Sequence, residues 1–596
     1  MREFTVPATV TVPDGARLTD TVVDNAREVP DLVSFSRRTA SSWQDVTAAE
    51  FARDVDAVAR GLIAAGVQAG DRVALMARTR YEWTLFDYAI WSAAAVTVPI
   101  YETSSAEQVQ WIVSDSGAVA VVVETAEHLA VLDSVRPDLP DLRHVWKIDD
   151  DAVGTLTGLG RDVPDEEAEQ RRTSVRADDL ATIIYTSGTT GRPKGCELTH
   201  RNLLFDVMTS VDGLRKLFND QGSTLLFLPL AHVFGRIIEV GAVMTRTRMG
   251  HTADIKNLLD DLKVFRPTFI LSVPRVFEKV YNSAKQRAHA DGKGRIFDAA
   301  DRTAVAYSEA LERGTVPLPL RLQHGLFDRL VYGKLRAALG GRCAYAISGG
   351  APLGARLGHF FRGVGLTVYE GYGLTETSAG ACVNLENSTK IGTVGRPIPG
   401  VSIRIADDGE ILLRGDNVFG GYWHNEAATA DALDSDRWFH TGDIGSIDTD
   451  GFVSITGRKK EIIVTAGGKN VAPAVLEDRL RAHPLISQCM VVGDQQPFIG
   501  CLVTIDPEAF PAWKAAHGKP ESATVGDLRG DPDLQAEIQA AVDEANKAVS
   551  KAEAIKSFRI LATDFTEEGG ELTPSLKLKR NVVLKQHADE IAAIYT

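Results

Sequence analysis

Cysteine is scarce in this chain: five residues among 596, with no C-x-x-C pair and no histidine at metal-ligand spacing, which argues against a metal–thiolate site or a disulfide scaffold. Basic charge is also short. Lys+Arg total 65 against Asp+Glu 80, a formal net charge of −15, and no long basic block interrupts it, so nucleic acid is not an expected partner. Apolar runs such as "AIWSAAAVTVPI" fall short of the roughly 20 residues a membrane helix needs. The N-terminal "MREFTVPATVTVPDG" has no apolar core flanked by positive charge, so no secretory signal is expected. These absences point to a soluble, cytoplasmic protein and leave open peripheral contact with the inner face of a membrane. Solenoid repeats and low-complexity linkers are missing too.

What is present is a rotation of helix and strand signals. "TAAEFARDVDAVARGLIAAG" opens with a capping box at Thr47 and Glu50, carries Phe51, Val55, Val58 and Leu62 on one face, and stops at Gly66. The strand "DRVALMA" follows, and the cycle repeats, which predicts an α/β fold of helix-covered, mainly parallel sheets. Residues from about Asn282 to Arg336 read as a helical insertion on this scaffold. From Ile391 to Gly457, alternating strands around Asp-Gly turns predict a β-rich subdomain. The boundaries expected are an N-terminal domain over 1–457, its β-rich part at about 391–457, and a small α+β C-terminal domain over 458–596.

Five segments carry chemistry. "YTSGTTGRPKG", Tyr185 to Gly195, offers backbone amides, the hydroxyls of Thr186, Ser187, Thr189 and Thr190, and the charge of Lys194, with Gly188 and Gly191 allowing close approach to phosphate. It is not the nucleoside-triphosphate loop G-x-x-x-x-G-K-[ST], because Pro193 and Gly195 break that spacing and no helix starts on the loop. Taken alone it is equally a surface turn. "SGGAPL" places Gly349, Gly350 and Ala351 after a strand, where a flat ring can lie on backbone. "YEGYGLTET" brings Tyr372, Gly373, Thr375 and Glu376, a stacking ring and a carboxylate of the kind that holds Mg²⁺ beside phosphates. Asp443 in "HTGD" is a candidate acceptor for ribose hydroxyls, and "GRKKE" follows it with Arg458 and Lys460. "LTPSLKLKR" puts Lys577 near the C-terminus, where a solvated basic patch is the default.

In this order the segments resemble the adenylate-forming superfamily, which includes acyl-CoA synthetases, firefly-type luciferases and peptide-synthetase adenylation domains. The resemblance spans nearly the whole chain. It implies ATP, Mg²⁺ and CoA as cofactors: the first loop on the outer phosphates, Gly349–Ala351 and Tyr372–Thr375 on adenine and α-phosphate, Glu376 on Mg²⁺, Asp443 and Arg458 on ribose. It also implies Lys460 as hinge, Lys577 as the lysine of adenylate formation, and Gly467, Gly468 and Lys469 on CoA. The family commonly has Gly before its lysine; this chain has Leu576. "LPLAHVFGR", with His232, Val233 and Phe234 as acyl pocket, and "RPTFILSVPRVFEKVY" are similar to long-chain fatty-acyl-CoA ligases in particular. No acid lies between Leu225 and Ile238 to pair with an α-ammonium, so an amino-acid substrate is disfavoured. An acyl-AMP ligase, a luciferase-like oxidoreductase and a non-catalytic adenylate binder remain as alternatives; the oligomeric state is open.

Overall fold

The computed structural model describes residues 1–39, 42–186, 192–253, 257–573 and 577–596. Its first sheet runs His144–Lys147, Ala118–Val123, Arg72–Met76, Val96–Ile100, Leu180–Thr186, Lys194–Thr199. All neighbours are parallel except the last pair. Ala118–Val123 and Val96–Ile100 are buried along their whole length, as expected of parallel strands covered on both faces by helices. The helices that alternate with these strands begin and end as the sequence predicts. Thr47 and Glu50 form a reciprocal capping box, Ser105 and Gln108 form a second, and Gly117 ends the second helix with φ 62°.

A nine-stranded sheet packs behind it, with Thr367–Tyr372, Tyr345–Ser348, Phe269–Ser272, Ser223–Leu226, Arg248–His251 and Val33–Arg38 in parallel at its centre. The insertion expected after it is present as Pro274–Ala290, Gly294–Glu312, Leu318–Phe327 and Gly333–Ala338. The β-rich part is a five-stranded antiparallel sheet, and it holds one strand that periodicity does not predict. Glu3–Thr5 pairs with Ser402–Ile405, Phe4 opposite Ile403. Three residues are too few to show alternation, so only the partner strand defines it.

Beyond residue 460 the chain has cores of its own. Leu476, Ile486, Val503, Ile538 and Ile560 belong to one, and Met490, Leu502, Phe565 and Val583 to another. Ile486–Val492 and Ile499–Ile505 form a hairpin, and Ile555–Ile560 adds in parallel. Among the described residues, no helix is long and apolar enough to cross a membrane. All five cysteines are buried thiols.

Candidate nucleotide and acyl site

Leu180–Thr186 and Lys194–Thr199 pair antiparallel, with Thr186 opposite Lys194. Ser187, Gly188, Thr189, Thr190 and Gly191 lie outside the described residues. The described residues on either side of them are fastened at several points. Tyr185 donates its hydroxyl to Asp115 at 2.6 Å, the Trp111 indole N–H donates to the Pro193 carbonyl at 2.9 Å, and the Arg192 guanidinium lies 4.7 Å from the Trp111 ring centroid. The helix expected near Thr199 is His200–Gly213, capped by Thr199.

Lys194 points toward the carboxylate that the sequence singles out. Its ammonium lies 4.9 Å from the centroid of Tyr422, whose hydroxyl donates to Glu376 Oε1 at 2.8 Å. Tyr422 is a site residue that sequence reasoning missed. Its local signal is an aromatic after paired glycines in "FGGYW", and nothing along the chain links it to Lys194. Thr375 and Glu376 sit on the short turn Thr375–Thr377, with Thr375 buried. Gly373 is obligatory just before it: a Cβ there would fall 1.8 Å from the Ala379 carbonyl oxygen.

Asp443 and Arg458 face each other across an antiparallel ladder, brought opposite by a register shift between Ile444 and Gly445 that the hairpin spacing alone does not predict. Arg458 Nε meets Asp443 Oδ1 at 3.0 Å and the Tyr372 hydroxyl donates to Oδ2 at 2.6 Å. Burial pushes the Asp443 carboxyl up from its ordinary value, against the pull of Arg458 and Tyr372. Two donors therefore hold one carboxylate at a fixed angle. Tyr372→Phe removes one of them and is expected to raise the KM for ATP about tenfold, ~1.4 kcal/mol, with kcat little changed. Initial rates at varied ATP check this, and an unchanged KM would separate Tyr372 from nucleotide binding.

Lys577 reaches this same place from the far end of the chain. A Cβ on Gly350 would lie 4.0 Å from Lys577 Cε, and the ammonium feels Arg458, Asp443 and Glu376. Desolvation and then Arg458 lower its pKa, with Asp443 and Glu376 opposing. The residue is open to the water of the cleft while protein walls it on most sides, so the lowering is that of a crevice and not of a dry core. Its backbone N–H donates to Thr573 Oγ1 at 3.0 Å, which fixes the turn presenting it. The tail default fails here because Lys577 is folded over the Gly349–Ala351 turn. Pro574, Ser575 and Leu576 lie outside the described residues.

Phe234, one of the acyl-pocket candidates, packs on that same turn. His232 caps the helix Val233–Met244, its Nδ1 accepting the Phe234 N–H at 3.2 Å, which leaves Nε2 as the protonated nitrogen. Burial, with a contribution from Lys577, pushes its pKa down to about 3, so the ring is neutral at physiological pH and positions more than it transfers protons. Val233 is buried. The Phe234 ring is packed on Gly349, 2.9 Å from where a Cβ would stand.

Two further sequence candidates are elsewhere. Gly467, Gly468 and Lys469 lie in the turn between Ile463–Val464 and Asn470–Val471, where Lys469 pairs with Glu553 at 3.3 Å. The structure does not bring them to the cluster around Lys577. Lys460 is exposed in the turn Lys459–Glu461, next to Lys459, which meets Glu410 at 3.0 Å. In this arrangement, Arg275 to Asp506 at 3.4 Å and Lys279 to Glu508 at 2.7 Å join the insertion helix to the C-terminal part.

The AMP-binding enzyme family matches residues 22–423, and the AMP-binding enzyme C-terminal domain matches 460–596. The chain is 57% identical over 598 residues to the long-chain-fatty-acid–CoA ligase FadD15 of Mycobacterium bovis, covering 100% of both. It is 32% identical to the peroxisomal long chain acyl-CoA synthetase 7 of Arabidopsis thaliana, over 93% of this chain and 82% of that one. Among solved structures, ATP-bound MatB from Rhodopseudomonas palustris superposes with a TM-score of 0.71 at 25% identity, covering 97% and 100%. The anthranilate CoA ligase AuaEII in complex with anthranoyl-AMP gives 0.74 at 19% identity, covering 98% and 99%, a likeness of fold.

Proposed function

This chain belongs to the AMP-binding enzyme family, and from that premise we propose that it activates a long-chain fatty acid with ATP and passes the acyl group to CoA. The products are acyl-CoA, AMP and pyrophosphate. The observation that carries the reading is the meeting of Lys577 with the Gly349–Ala351 turn and the Tyr372–Asp443–Arg458 cluster.

A carboxylate is a poor electrophile toward a thiol, because oxide would have to leave. Attack of the carboxylate on the α-phosphorus replaces oxide with AMP as the eventual leaving group. That first step is mainly positioning and charge stabilisation among anions. Asp443 and Arg458 orient the ribose, Lys194 faces the outer phosphates, and Lys577 lies between carboxylate and α-phosphate. Each such contact is worth on the order of 10²-fold in rate in a desolvated site. Glu376 suits Mg²⁺: Tyr422 occupies one carboxylate oxygen and orients the other, and an oxygen-seeking cation that takes one carboxylate plus phosphate oxygens would neutralise charge there.

Thioester formation needs different groups. We assign it to a second orientation in which residues 458–596 turn about Lys460, Lys577 withdraws, and Gly467, Gly468 and Lys469 approach the CoA thiol. The domain division at 457 and 458 is part of this proposal. Phe234 packed on Gly349, with neutral His232 and no acid from Leu225 to Ile238, favours an apolar chain over an amino acid.

The test is pyrophosphate release by purified protein over saturated acids of increasing length, with and without CoA. Palmitate with CoA is expected to support continuous turnover, and omission of CoA to stop it after about one equivalent. Turnover indifferent to CoA, or confined to amino acids, would overturn the assignment.

A further inference from the structure

The insertion carries a surface that nucleotide and acyl chemistry do not use. On Leu318–Phe327 and the turn that continues it, Leu318, Leu322, Leu326 and Leu330 recur every fourth residue and are 67%, 68%, 56% and 47% exposed. Scattered exposed leucines are ordinary; four at helical spacing on one face are not. Arg321 and Arg329 are exposed among them.

This face is not a loose element awaiting a core. Its opposite side is already anchored: Phe327 and Tyr332 are buried, and the Tyr332 hydroxyl donates to the Ala300 carbonyl at 2.7 Å. His324 stacks on Tyr307 with ring centroids 3.8 Å apart and bonds the Gly363 carbonyl at 2.7 Å. The leucines point outward from a fixed helix.

Charge says what they face. From Arg313 to Arg342 there are six Lys and Arg and a single acid, Asp328, so the stretch is +5 in a chain of net charge −15. Asp328 is itself paired with Arg336 at 2.7 Å. Acids of the helix beside it are taken as well: Asp301 meets Arg356 at 3.3 Å, and Glu312 meets Arg362 at 3.4 Å. An apolar stripe flanked by Arg321 and Arg329, exposed and without an ion pair among the described residues, matches a bilayer surface, with side chains entering the acyl boundary and guanidinium groups at anionic headgroups.

We propose that the outer face of residues 318–334 docks this protein peripherally on an anionic lipid surface. The docking turns on this face alone and uses neither the nucleotide site nor the identity of the acid, so its failure would leave the ligase reading standing. Flotation of the full chain with vesicles of equal parts phosphatidylcholine and phosphatidylglycerol tests it, against vesicles of phosphatidylcholine alone. Parent protein is expected to float with the anionic vesicles and to detach as salt rises to about 0.5 M. Leu322→Glu with Leu326→Glu is expected to lower partitioning at least tenfold, and Arg321→Gln with Arg329→Gln to remove most of the salt dependence. Thermal midpoint and vesicle-free pyrophosphate release are expected to match the parent in both variants. The proposal is overturned if the parent stays in the lipid-free fraction or if the leucine variant floats equally well. It is also overturned if light scattering finds a dimer that the leucine variant dissociates, since a second copy would then be the occupant.

Discussion

Lys577→Ala is expected to slow adenylate formation by about 10²- to 10³-fold while leaving thioester formation from supplied acyl-adenylate within about threefold of the parent. The asymmetry follows from where the lysine is. Its ammonium is at the Gly350 turn, under the influence of Asp443 and Glu376, and a cation there offsets repulsion between an incoming carboxylate and the α-phosphate. Once the adenylate exists that repulsion is gone, and the proposed second orientation carries Lys577 away. Pyrophosphate release measured without CoA reads the first step. Acyl-CoA formed from synthetic palmitoyl-AMP reads the second. Equal losses in the two assays would sink the two-orientation assignment, whereas a loss only in the second would place Lys577 in thiol transfer. Thermal midpoint should not move, because the lysine is exposed to the cleft and its loss opens no cavity.

That result would rest on a contact that only partly shows along the chain. Local chemistry was legible: the Thr47 and Ser105 capping boxes and the Asp-Gly hairpins, though the register shift that sets Asp443 opposite Arg458 was not. The order of the motifs was legible too. Contacts closed by tertiary folding were not. Lys194 meets Glu376 only through Tyr422, Glu3–Thr5 becomes a strand only beside Ser402–Ile405, and Lys577 reads as a tail until it is folded over Gly350. In each case the defining partner lies in another element, and no window of sequence contains both. The exposed leucines illustrate the converse: their spacing is visible in the sequence, but only the packed underside shows that the stripe faces outward.

The most strongly hidden pair is also expected to give the largest effect on stability. Arg236 and Asp87, separated by 149 residues, meet at 2.6 Å with side chains 1% and 0% exposed. Arg236 also donates to Thr182 at 2.6 Å and lies between Trp83 and Trp91, 5.4 and 5.3 Å from their centroids. Breaking such a pair by removing one partner costs more than the pair contributes, because the other charge stays buried. Arg236→Met is therefore expected to destabilise by about 3–5 kcal/mol, read as a shift of the urea midpoint, and adding Asp87→Asn to recover part of it. A loss under about 1 kcal/mol would mean that water reaches Asp87. The damage is expected to spread to the acyl site, since Arg236 lies one turn after His232 on the same helix. Glu239, on that helix, shows the sign of the electrostatics. Burial and the neighbouring Asp87 push its carboxyl well up, and Arg236, which pulls the other way, is engaged with Asp87. The folded protein thus holds a proton there that the unfolded chain releases above its ordinary value of 4.5, so stability falls as pH rises from that value toward the folded pKa. Glu239→Gln keeps the shape without the proton. Its stability relative to the parent is expected to improve from about pH 5 to about pH 8, and a difference that stays constant over that range would show that Glu239 is ionised in the fold.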